Sequence, residues 1–70
     1  MKFVVCIQNQ DYPASLEIRK LYQVLDDEQA RQHRMIRIVD ESGEDYLYPD
    51  SYFIDIEVPE MIHQLFAMAS

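Results

Sequence analysis

The sequence predicts a mainly β fold, a small closed barrel carrying a short inserted helix and a C-terminal helix. Short segments rich in Val, Ile, Leu and Tyr alternate with period two, as in Met35–Val39 and Phe53–Val58, the pattern of strands that bury one side. Gly43, the only glycine, sits in an acidic stretch between two such segments, where a hairpin turn needs a residue free to take positive φ. Pro49-Asp50-Ser51-Tyr52 then forms a tight turn ahead of the last strand, so that a meander of short strands closes on itself. Seventy residues suffice for one domain, with the barrel over residues 2–58 and the helix over 59–69.

The elements follow in order. Lys2 to Gln8 reads as a strand with two apolar sides, Phe3-Val5-Ile7 and Val4-Cys6, which implies cover on both, the second side lying under the C-terminal helix. Asn9 to Ser15 holds Asn, Asp, Pro and Ser and reads as a loop. Leu16 to Leu25 reads as one long bent strand, its alternation interrupted at Lys20. From Asp26 to His33 the pattern changes to one or two helical turns, with Asp26 as the cap and Gln29 reaching back. Acids at the front and Arg31 and His33 at the rear suit the helix dipole. Ile36 to Tyr48 is a hairpin, and Pro49 to Tyr52 is one turn of 3₁₀ helix. Phe53 to Val58 alternates strictly, with Ile54, Ile56 and Val58 expected inward and Phe53, Asp55 and Glu57 outward. Pro59 opens the final helix, where its missing N–H costs nothing. Met61, Ile62, Leu65, Phe66, Met68 and Ala69 are expected on its apolar face, and Glu60, His63 and Gln64 on the other.

Charge narrows the function classes. Six Lys and Arg face thirteen Asp and Glu, a net charge of −7. Nucleic-acid binding draws on phosphate neutralisation by Lys and Arg, and Arg31, Arg34 and Arg37 are flanked by Asp26, Asp27, Glu28, Asp40 and Glu41. Nucleic acid and anionic membrane are therefore disfavoured as partners. The hydrophobic fraction of 49% is too high for a disordered tail. A single cysteine, Cys6, rules out an intrachain disulfide and a Cys-rich zinc site. It also favours a reducing compartment. The apolar run from Met1 to Ile7 is too short for a signal-peptide core or a membrane span, so the expected location is cytoplasmic.

The segment Gly43 to Glu57 resembles the second half of a Src-homology-3-type barrel, in which a hairpin feeds a Pro-x-x-Tyr turn and a short final strand. Here these are Pro49-Asp50-Ser51-Tyr52 and Phe53-Ile54-Asp55-Ile56-Glu57. The chain is also similar to a group of short bacterial proteins, of no settled activity, that carry Tyr-Leu-Tyr-Pro after an acidic Gly hairpin. The resemblance implies a Src-homology-3-like barrel acting as a docking module. The Trp that grips polyproline in the peptide-binding members is absent, and Asp11-Tyr12-Pro13 is only a distant echo of their acidic Tyr signature.

The candidate contact patch is Tyr46, Tyr48 and Tyr52 with Asp45 and Asp50, because Tyr joins an apolar body to a polar tip and is favoured at interfaces. The blander alternative packs each ring over the barrel with its hydroxyl in water. Asp40, Glu41, Glu44, Asp45 and Asp50 offer either a weak Ca²⁺ or Mg²⁺ site or a solvated turn whose charges deter edge pairing; their spacing is not that of a calcium loop. His33 and His63 lack ligand partners at metal spacing, and Cys6 on an apolar strand reads as core. No catalytic constellation, cofactor or metal is expected. The reading is a non-catalytic module that docks a protein or peptide, basic by charge complementarity, or else a subunit that homodimerises through its C-terminal helix.

Overall fold

The Phe- and Val-rich opening segment forms β1 (Lys2–Cys6) in the computed structural model, which describes residues 2–68, with only the backbone at Met68. The expected apolar-face positions Ala69 and the Met68 side chain lie outside the described residues. β2 (Leu21–Leu25) pairs with one side of β1, Val4 opposite Tyr22, and β5 (Phe53–Ile56) pairs with the other, Cys6 opposite Phe53. β3 (Met35–Val39) joins β2, and β4 (Asp45–Pro49) joins β3, so the antiparallel order is β4-β3-β2-β1-β5. A 3₁₀ turn over Asp50–Tyr52 carries the chain from one edge to the other. No ladder joins β4 to β5 among the described residues, so this mainly β fold is an open five-stranded sheet with two helices, and main-chain pairing does not close the expected barrel.

Register decides which side chains meet. Val4, Cys6, Tyr22, Ile38, Tyr48 and Phe53 share the core face, joined by Leu16 from the loop after β1. Val24, Ile36 and Tyr52 pack at its margin. Phe3, Val5, Ile54 and Ile56 therefore point to the opposite face. On that face Phe3 is buried under α2 (Glu60–Met68), with its ring edge-on to Phe66 at 4.7 Å and to His63 at 5.1 Å. The helix thus covers the Phe3 side of β1, not the Val4 and Cys6 side.

Four expectations are corrected. Leu16 to Leu25 is not one strand. At Arg19 the backbone turns to φ +69°, and Arg19 and Lys20 together oppose Cys6: the Arg19 amide donates to the Cys6 carbonyl (2.6 Å) and the Cys6 amide to that of Lys20 (2.9 Å). This is a β-bulge with a left-handed first residue. The helix α1 (Glu28–Gln32) is capped by Asp27 rather than Asp26, its carboxylate accepting the Ala30 amide at 2.9 Å. In β5 the period is right and the facing reversed: Phe53 is buried and Ile54 exposed, because register against Cys6 places Phe53 on the core face. In α2, His63 faces the sheet while Met61 and Leu65, 70% and 56% exposed, do not. The helix is apolar around much of its circumference, and the Phe3 ring selects the side that docks.

The hairpin repeats the bulge geometry with its usual residue. The Gly43 amide donates to the Asp40 carbonyl and the Asp40 amide to that of Glu44, both at 3.0 Å, with Gly43 at φ +82°. A turn followed by a left-handed residue is the common three-residue hairpin loop.

Candidate functional site

The acidic hairpin tip folds back onto the loop after β1. The Glu41 amide donates to the Ser15 carbonyl at 3.1 Å. The Glu41 carboxylate accepts the Tyr22 hydroxyl at 2.6 Å and the Lys20 ammonium at 2.5 Å. Asp40 is buried, yet no oxygen is left alone: Oδ1 accepts the Ser42 amide (2.9 Å) and hydroxyl (2.5 Å), and Oδ2 accepts the Tyr48 hydroxyl (2.5 Å). Burial pushes this carboxyl up, but those hydrogen bonds outweigh it and hold the group below the usual carboxylate range. Burial and the Asp40 carboxylate together push the Tyr48 phenol up to about 12. Lys20 and Tyr22 hold Glu41 below its ordinary value.

Three of the five acids expected as a cluster therefore serve the fold. Asp40 anchors Tyr48, Glu41 anchors Tyr22, and Asp45 shares the Arg37 guanidinium with Asp27, each contact at 2.9 Å. Among the described residues no three His, Cys, Asp or Glu side chains converge so as to hold a metal ion. Cys6 is buried, donates to the Gln8 carbonyl at 3.3 Å, and has its thiol pushed up by that burial.

The five expected contact residues do not form one patch. Tyr48 is 3% exposed and belongs to the core. Tyr46 is 52% exposed on the neighbouring register position, its hydroxyl near Glu44 at 3.4 Å. Tyr52 is half-buried and donates to Asp11 at 3.2 Å. Asp45 points to the opposite side of β4 from Tyr46. Asp50 lines a separate mixed-charge hollow of about 600 Å³, with Lys2, Arg31, Arg37, Asp27 and Asp55.

Tyr12 links the tyrosines that do lie together. Its ring stands edge-on to Tyr48 at 5.0 Å and to Tyr52 at 6.2 Å. The geometric face is thus Tyr12 with Tyr52 beside it and Tyr46 lining a crevice shared with Tyr12 and the buried Tyr48, rimmed by Asp11 and Glu44. Tyr12 was not among the expected contacts, because the loop holding it is brought to the hairpin only by long-range bonds. Its one sequence signal is the Asp-Tyr-Pro triplet. Among the described residues, no helix is long and apolar enough to cross a membrane. No protein-family model, curated protein or solved structure matches the chain.

Proposed function

We propose that this protein is a non-catalytic interaction module whose Tyr12, Tyr46 and Tyr52 face docks a basic protein or peptide segment. One observation carries the reading: the exposed Tyr12 ring stands edge-on to a buried, hydrogen-bonded Tyr48 and touches the half-buried Tyr52, so this part of the face is held in place before a partner arrives. Ordering costs are then small on this side of the complex. The acidic rim and the net charge of −7 select a cationic partner and disfavour nucleic acid and anionic lipid. The meander order, the 3₁₀ turn ahead of β5 and the pairing of β5 with β1 support a Src-homology-3-like reading of the architecture, similar to that of the short bacterial proteins. A cytoplasmic location belongs to the same proposal.

Affinity capture with the wild type and a Tyr12→Ser/Tyr46→Ser double variant tests it. The expected partner is retained by the wild type, lost by the variant and released by raised salt. A partner held equally by both proteins overturns the reading. The second reading, a homodimer through α2, is favoured by the exposed Met61 and Leu65. Sedimentation as a monomer at high concentration removes it.

A further inference from the structure

Between the hairpin tip and the loop after β1 lies a crevice of about 320 Å³, lined by Tyr12, Tyr46 and Tyr48 with Asp40, Ser15 and Ser42. None of its described lining residues is cationic, whereas the larger hollow on the sheet matches three cations to three acids. The geometry points to this crevice as a receptor for one arginine side chain of the basic partner. The inference rests on the docking face proposed above and names what enters it.

The aromatic lining attracts a cation by the ring quadrupole, and the Asp40 carboxylate in the same lining adds a full negative charge. That carboxylate already accepts three hydrogen bonds, from the Ser42 amide and hydroxyl and the Tyr48 hydroxyl. Little capacity remains for a compact ammonium, which is strongly hydrated and needs three acceptors to replace its water. A guanidinium is more weakly hydrated and stacks on aromatic faces. The crevice therefore favours arginine over lysine, and both over an uncharged side chain of the same shape.

The test uses the full chain, isotope-labelled, with N-acetyl-arginine amide, N-acetyl-lysine amide and N-acetyl-citrulline amide as probes in NMR titrations. The arginine probe is expected to shift the Tyr12, Ser42 and Tyr46 resonances saturably, with lysine weaker and citrulline weakest. Tyr46→Ala, at an exposed position, weakens the response about fivefold and Tyr46→Phe restores it, because the ring face carries the attraction. Equal responses to arginine and lysine or citrulline, or shifts spread without saturation over the surface carboxylates, overturn the inference. The two proposals fail separately. A basic partner that docks through Tyr12 and Tyr52 while the arginine probe leaves the crevice unmoved sinks the arginine site and spares the docking face. Loss of the partner's dependence on Tyr12 and Tyr46 sinks the face itself.

Discussion

Arg19 and Gly43 occupy the same position in two bulges of the same form, at φ +69° and +82°. The left-handed region costs an L side chain roughly 1–2 kcal/mol, and glycine escapes that cost. A Cβ at Gly43 meets nothing within 4 Å, so Gly43→Ala should lose about 1 kcal/mol through the backbone alone. Arg19→Gly should gain about 0.5–1 kcal/mol after glycine's larger entropy loss. Urea unfolding checks both, with midpoints moving in opposite directions at unchanged slope. A second contrast concerns Tyr48. Tyr48→Phe leaves Asp40 Oδ2 buried without its donor and should cost about 1–3 kcal/mol. Acid and alkali then act on known groups. Asp27, Asp40 and Glu41 are all held below their ordinary values, so between the folded and unfolded values the unfolded chain binds more protons. Their stabilisation is complete above roughly pH 4.5 and is lost as pH falls through the folded values. Tyr48 works in the other direction: its stabilisation is full below roughly pH 10 and fades up to about 12. A pH series of unfolding midpoints should show both flanks, and Tyr48→Phe should remove part of the alkaline one.

Whether an element docks depends on which of its sides meets a complementary surface. α1 is anchored by its cap, since Asp27 accepts the Ala30 amide and pairs with Arg37 on β3. Asp27→Ala should lower the thermal midpoint and Asp27→Asn lower it less, because Asn still caps; Asp26→Ala should leave it unchanged. α2 hangs on the contacts of Phe66 and His63 with Phe3. Phe66→Ala should cost about 1–3 kcal/mol, while Met61→Ala and Leu65→Ala should stay within about 0.5 kcal/mol. Denaturant unfolding of the three variants separates the part of the expected apolar face that docks, at Phe66, from the part that does not, at Met61 and Leu65. A helix of nine residues is marginal in isolation, so its amides should exchange with solvent faster than those of β1 and β2.

For the whole molecule, net charge governs behaviour in salt. Thirteen acids against six bases repel one another in the compact state, so added salt should raise the thermal midpoint of the free protein. The same salt should weaken its complex with a basic partner. Calorimetry of the free chain and a binding titration measure the two effects, and their opposite signs separate self-repulsion from partner attraction. The elements were legible locally, whereas the expected closure of the barrel is not borne out by main-chain pairing. Strands, hairpin and the 3₁₀ turn follow from local alternation and turn chemistry, as at Met35–Val39, Gly43 and Pro49–Tyr52. The candidate site was legible only in part: Tyr46 is a surface tyrosine, but Tyr52 is half-buried at the core margin, Tyr48 is core and Tyr12 arrives from a loop.

By itself the sequence determined the mainly β class, the number of strands and their succession along the chain, the position of both helices and the acidic charge. Each depends on neighbours a few residues apart, whose spacing the chain carries wherever it goes. Tertiary structure alone decided that Phe53 turns inward and Ile54 outward, that α2 presents His63 and Phe66 to Phe3, that Asp40 and Glu41 are spent on Tyr48 and Tyr22, and that Tyr12 completes the aromatic face. A period of two says that the sides of a strand differ without saying which is covered, and that choice is made by ladders and hydroxyl bonds between residues far apart in the chain.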